Sequence, residues 1–294
     1  MKRRVATGAL LVALLACARG AHAHLEHPLL STRTASMGGA FVALANDPSA
    51  TVDNPAGLAG LATVSLLATW NRPWGVEGLN EGYLAASVPT PWMTVGVSWF
   101  HRGLDDALGE DLVTLAVARD LKRTSEDASL SVGASVDFAR VSAQGDIDDS
   151  DDAIAFGAGV LLRPFAFIGV GYSIRNANQP DLHLVDGAPG TALKRSQSVG
   201  LAYYWQERMV VTVETREEAD GEWRSRGGLE LRAGNHVLLR SGLDATRVAV
   251  GVGLVWRAFA LDAGMTGHEA LGASYLLTLR WARAKEVPSY GASQ

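Results

Sequence analysis

The 294-residue sequence has one cysteine, Cys17, so no disulfide within the chain can staple the fold. It has little positive charge: the formal balance is −5, with 26 Lys and Arg against 31 Asp and Glu. That argues against a nucleic-acid partner. After the first 23 residues there is no apolar run of 18, which excludes a membrane-spanning helix in the rest of the chain. The seven histidines lack metal-ligand spacing, and His101, His183, His236 and His268 are scattered. No histidine and serine stand two apart on one strand, and His268 and Ser274 are too far apart in register. No enzyme activity, metal or cofactor is expected.

The first 23 residues read as a secretory signal. Lys2, Arg3 and Arg4 form the charged start, residues 5–16 the apolar stretch, and Ala21-His22-Ala23 the small-x-small cleavage site. The apolar stretch is too short for an anchor helix. Cys17 follows Leu14-Leu15-Ala16, a less favoured version of the lipoprotein box. Losing Lys2, Arg3, Arg4 and Arg19 with the signal takes four positive charges and moves the formal balance from −5 to −9. A secreted chain without disulfides needs a large core or a closed sheet.

From residue 61 the useful period is two. Val248, Val250, Val252, Leu254 and Trp256 alternate with Ala249, Gly251, Gly253 and Val255. Val95, Val97 and Trp99 alternate with Thr94, Gly96 and Ser98 in the same way. One face is bulky and apolar, the other mostly tiny, which is a strand signal. Fourteen strands are placed at 61–70, 81–88, 91–101, 110–120, 128–141, 152–163, 164–175, 196–206, 207–217, 222–233, 235–244, 246–257, 258–266 and 269–281. Turn chemistry separates them, as at Pro89-Thr90-Pro91, Arg163-Pro164, Asp220-Gly221 and Gly234-Asn235. The fold class is all-β: an antiparallel transmembrane β-barrel, with residues 282–294 as a polar tail.

A soluble sandwich is the rival, but the small face lacks an ordinary solvent-facing composition. Its charges also come in both signs: Glu214 and Arg216, then Arg224, Arg226, Glu230 and Arg232, then Arg240 and Asp262. Inside a barrel these form a ladder in which pairing is required, because isolated buried charges are costly. Trp70, Trp92, Trp99, Trp205, Trp256 and Trp281 fall near strand ends, as in interfacial girdles. The closing strand, with Tyr275, Leu277, Leu279 and Trp281 on one face, is similar to the signal read by the outer-membrane barrel assembly machinery.

Residues 24–60 do not alternate. Arg33 to Ala43 reads RTASMGGAFVA; Asn46-Asp47-Pro48-Ser49-Ala50 and Asn54-Pro55-Ala56-Gly57-Leu58 follow. This run resembles the N-terminal signature of the PorV/PorQ family, related to the FadL/OmpP1/TodX-type hydrophobic-compound transporters. The likeness continues through Gly228–Arg232, Leu239–Leu243, Val250–Leu254 and Leu271–Tyr275. It implies a fourteen-stranded barrel in the outer membrane of a Gram-negative-type bacterium, embedded in lipid and lipopolysaccharide, with an N-terminal hatch in the lumen. It carries two functional expectations. The first is a partner barrel in secretion or surface assembly, working with secretion-system proteins. The second is passive transport of a small hydrophobic ligand, such as a fatty acid, with a hatch-gated lateral exit. Short loops, the longest about twenty residues at 176–195, weaken the fatty-acid version.

The residue chemistry fits a hatch. Gly38 and Gly39 permit a tight reversal. Pro48 and Pro55 stop helices and extend the residues before them. Asn46, Asp47, Asp53 and Asn54 can satisfy backbone donors. Met37, Phe41 and Val42 can anchor in apolar surroundings, with a short helix expected over 37–45. Arg33 is expected to pair with Glu230 or Asp262. The acidic run 146–152 reads as a solvated loop, with a divalent cation as the alternative.

Overall fold

The structure, a computed structural model, describes residues 30–104, 107–125, 128–143, 149–182, 191–206 and 208–283. The expected signal peptide with Cys17, residues 24–29, the acidic positions 146–148, His183 and the tail from 284 lie outside the described residues. No helix among the described residues is long and apolar enough to cross a membrane.

Fourteen strands close into one antiparallel barrel. They are β1 (Ser65–Arg72), β2 (Leu79–Pro89), β3 (Thr94–Leu104), β4 (Leu108–Ser125), β5 (Ala128–Ala143), β6 (Asp149–Phe165) and β7 (Ile168–Arg175). A two-stranded hairpin of β8 (Asp181–Leu182) and β9 (Thr191–Ala192) interrupts the wall sequence. Then follow β10 (Ser196–Trp205), β11 (Met209–Glu217), β12 (Trp223–Ala233), β13 (Val237–Leu243), β14 (Arg247–Trp256), β15 (Phe259–His268) and β16 (Gly272–Ala282). Closure is made by β1 against β16, with Leu66 opposite Trp281 and Trp70 opposite Leu277.

Each sequence-placed segment has a strand, with shifted ends, and three of the differences from the sequence reading have a local cause. The first strand starts at Ser65 rather than 61, because Leu61 still closes a 3₁₀ helix that belongs to the preceding segment. Pro164 does not split β6 from β7; β6 runs through it to Phe165 with a register slip after Leu162, where a missing N–H is tolerated. The helix expected over 37–45 is absent: α1 covers Thr32–Ser36, and Gly38 and Gly39, at φ +65° and +78°, turn the chain away from helical geometry.

Alternation sorts the wall cleanly. Val248, Val250, Val252, Leu254 and Trp256 point outward, while Ala249, Gly253 and Val255 are buried inside. The same holds around the barrel, so the outer face is a continuous apolar band. Trp70, Trp99, Tyr172, Trp223 and Tyr275 ring the loop end; Trp92, Phe165, Trp205, Trp256 and Trp281 ring the end with short turns. A sheet can sit in hydrocarbon only when no backbone edge is left open, and this wall has none. An apolar outer band between aromatic girdles is the surface of an outer-membrane barrel. The loops face the exterior and the short turns the periplasm.

Placing a charge in the band tests this assignment. Val252 lies midway along β14 and faces outward. Val252→Arg is expected to lower folding stability in a bilayer by about 2–4 kcal/mol, and Val252→Ala by much less. Urea titration of the liposome-folded barrel measures both.

Candidate functional site: a luminal plug and its ion relay

Residues 30–61 run inside the barrel. All are buried except Asn46, Asp53, Ala59 and Gly60. Ser31 starts α1: its hydroxyl accepts from the Thr34 N–H at 3.1 Å. After the Gly38-Gly39 reversal, the Phe41 and Val42 N–H groups both donate to Glu214 Oε2 at 2.9 Å. Asp47 accepts from the Ser49 N–H and hydroxyl, setting up α2 (Ala50–Asp53) just beyond Pro48. Asn54 caps the 3₁₀ helix Pro55–Gly60 by accepting from the Ala56 N–H at 3.2 Å. Its amide also donates to Val42 O at 2.8 Å and to Val160 O of β6 at 3.2 Å, tying two parts of the segment to the wall.

The small inner face of the wall exists for this segment. A Cβ on Gly228 or Gly242 would come within 3 Å of Met37 and Gly38 backbone; one on Gly171 would meet Val42, and one on Gly133 would meet Pro55 and Ala56. Within the segment, a Cβ on Gly57 would meet Ala45 O under 3 Å. Wall and segment are therefore in backbone contact, and any side chain between them would push them apart.

Arg33 is the center of the polar contacts. Its guanidinium is fully buried. It forks onto Glu230 through Nε to Oε2 and Nη2 to Oε1, both at 2.9 Å. Its Nη1 donates to Asn46 Oδ1 at 2.6 Å and reaches Asp47 Oδ2 at 3.4 Å, and the group lies over the Phe41 ring. Of the two acids open to Arg33 in the sequence, the structure places it on Glu230; Asp262 is one step further. Arg240 bridges Glu230 and Asp262, the latter at 2.7 Å, and Arg280 closes on Asp262 at 3.0 Å. The result is an alternating relay, Asp47–Arg33–Glu230–Arg240–Asp262–Arg280, from the segment across β12, β13, β15 and β16.

The other ladder residues separate from it. Arg216 pairs with Glu214 at 2.7 Å beside the Phe41 turn. Arg226 pairs with Glu218, and Arg224 with Asp220, at the loop-side mouth. Arg232 lies toward the turn end of β12, two residues beyond Glu230. Arg280 and Thr278 were not singled out in the sequence, although both stand on the inward-facing phase of β16; Thr278 accepts from the Thr32 N–H at 2.8 Å. Another missed group is Arg102 with Glu81 and Glu110, at 2.6 and 3.1 Å, inside the loop half.

Beside the Arg102 group, two apolar clusters flank the segment. Above the segment, Tyr83, Phe100, Leu112 and Val141 cluster with Leu30 and Val52 and run to Leu182 and Leu193 of the outer hairpin strands and their margin. Below it, Phe41, Leu44 and Leu58 cluster with Ala118, Tyr204 and Val210. Asp53 ends α2 and lines a charged cavity at the loop-side mouth. Its Oδ2 is buried without a hydrogen-bond partner, so it does not serve the backbone as the sequence suggested. Burial raises its pKa to about 7; Glu214 and Asp47 add to the rise, and Arg216 and Arg175 oppose it.

The chain is thus an outer-membrane β-barrel holding its own N-terminal segment in the lumen. The same fold occurs in known channels. A Pseudomonas aeruginosa FadL homologue aligns at 13% identity over 88% of this chain and 99% of that one, with a TM-score of 0.59. The CymD monoaromatic hydrocarbon channel aligns at 11% identity over 87% and 98%, with a TM-score of 0.63. The Ralstonia pickettii toluene transporter TbuX aligns at 10% identity over 87% and 98%, with a TM-score of 0.62. At these identities the likeness is one of fold. No protein-family model and no curated protein matches the chain by sequence.

Two predictions follow from the contacts of the segment. Arg33→Ala leaves Glu230 and Asp47 buried beside fewer positive charges, and should cost about 3–5 kcal/mol in urea unfolding. Asp53 gives a pH dependence. In water a carboxyl ionises near 3.8, but in the packed segment only near 7. A released segment therefore gains from ionisation between those values, so the packed state is firmest at acid pH and weakens up to about pH 7. Single-channel openings should grow more frequent from pH 4 to 7 and level off above; Asp53→Asn should remove the slope.

Proposed function

We propose that this barrel is a passive channel for small hydrophobic molecules, gated by residues 30–61 acting as a plug. The observation that carries the reading is the pair of apolar clusters, one above and one below the buried segment, in a lumen that is otherwise ion-paired. A hydrophobic solute entering from outside meets the upper cluster, and displacement of the plug joins it to the lower one. The ion relay holds the plug at the far wall, so movement on the apolar side need not break it. The fold shared with a FadL homologue and with hydrocarbon channels supports transport over the secretion role.

A second reading is a partner barrel in secretion or surface assembly. It is favoured by how tightly the plug fills the lumen, with backbone against wall glycines.

Uptake separates the two. Cells carrying the chain should accumulate a small aromatic hydrocarbon faster than cells without it. Leu112→Glu above the plug and Leu44→Glu below it should each abolish the gain while leaving a folded, heat-modifiable band on a gel. Equal uptake with and without the chain would remove the channel reading, and co-purification of secretion-system proteins would then favour the partner reading.

A further inference from the structure

The loop-side mouth holds a cavity of about 80 Å³ that is unlike the apolar clusters. Its floor is the plug itself, at Gly38 and Gly39. Guanidinium groups of Arg216, Arg224, Arg226 and Arg247 stand around it. So do three carboxylates, from Asp53, Glu218 and Asp244. Ala245 and Thr246 form an exposed rim, and the Arg224 side chain is 42% exposed, so the cavity opens toward the exterior.

Most of these charges already have partners. Arg216 is engaged by Glu214, Arg226 Nη2 by Glu218, Arg224 by Asp220, and Arg247 by Asp244 at 3.2 Å. Three buried atoms of lining residues have no hydrogen bond: Arg226 Nε and Arg247 Nε, both donors, and Asp53 Oδ2, an acceptor. The Arg226 side chain is only 9% exposed. Buried polar atoms are nearly always satisfied, and one left without a partner calls for an explanation. Here donors and an acceptor are both left over, on residues that line one space.

A bare anion would answer Arg226 and Arg247 but meet three carboxylates and leave Asp53 unmatched. A bare cation would answer Asp53 but meet four guanidinium groups. A neutral pair of charges on one small molecule answers both. We propose that this vestibule binds a small zwitterion, its carboxylate on Arg226 and its ammonium on Asp53. Carboxylate on guanidinium is a strong, charge-assisted contact, and the ammonium supplies the donor that the carboxyl of Asp53 lacks. Because the floor belongs to the plug, a bound zwitterion ties α1 and α2 to β12 and stabilises the closed lumen by simple linkage. This assignment rests on the cavity alone and does not require the uptake reading.

Calorimetry on the full-length barrel in detergent tests it, with glycine, β-alanine and γ-aminobutyrate as probes. At least one of the three should bind, and propionate and propylammonium should bind at least about tenfold more weakly. Asp53→Asn and Arg226→Gln should each weaken the bound amino acid by about tenfold or more. Near pH 6 binding should release protons, seen as a heat that depends on the buffer, since an ammonium favours the ionised Asp53. Ala245→Trp at the exposed rim touches neither group and should also block binding, which keeps the test open if a lining variant fails to fold. The proposal is overturned if none of the three amino acids binds, if propionate or propylammonium binds as well, or if Ala245→Trp and the folded lining variants leave binding unchanged.

Discussion

Everything in this molecule depends on one requirement: in hydrocarbon, every backbone N–H and C=O must find a partner within the protein. The pairing of β1 with β16 meets it by leaving the sheet no edge. Closure at fourteen strands then creates a second demand. Eight strands give an interior that wall side chains can fill; fourteen give one they cannot. The chain meets that demand with its own residues 30–61. The wall in turn gives up side chains where the segment passes, as at Gly171, Gly228 and Gly242. The tiny inner face is thus a consequence of closure, two steps removed.

The lumen is divided chemically. β11 to β16 carry the relay and the Glu214 pair, and β1 to β6 most of the apolar cluster above the plug, with the Arg102 group beside it. Buried ion pairs contribute little net stability compared with apolar packing of the same volume, but breaking one is expensive. They therefore serve as a positional device: Arg33 has one low-energy seat, forked on Glu230, whereas Leu, Val and Phe tolerate several packings. A plug held rigidly on one side and greasily on the other has a built-in direction of give.

Much of this was legible in the sequence. Period-two alternation is a local property of each strand, so the fourteen segments, their outward faces and the girdle tryptophans could be read from Val248–Trp256 and its counterparts. Both signs of charge on the small face marked the lumen wall. What could not be read was pairing across distance. Glu214 accepting from Phe41 and Val42 depends on a turn whose shape follows from two positive-φ glycines, and alternation says nothing of it. The expected helix over 37–45 failed for the same reason: its composition is permissive, but Gly38 and Gly39 are placed where the wall requires a reversal. Arg280 was within reach, because its inward phase among Leu279 and Trp281 is visible, yet a lone charge in a closing strand draws less notice than a cluster. The vestibule was out of reach, since Asp53, Arg226 and Asp244 meet only after the barrel closes.

The relay also bears on time. Arg33 is joined to Glu230 across 197 residues, and Thr32 to Thr278 across 246. The partners of a segment that leaves the ribosome early are supplied by strands that leave late. Until β12 to β16 are in the wall, Arg33 lacks Glu230 to fork upon and Thr32 lacks its seat on Thr278. The head of the chain thus waits for its tail, and the order of locking runs opposite to the order of synthesis.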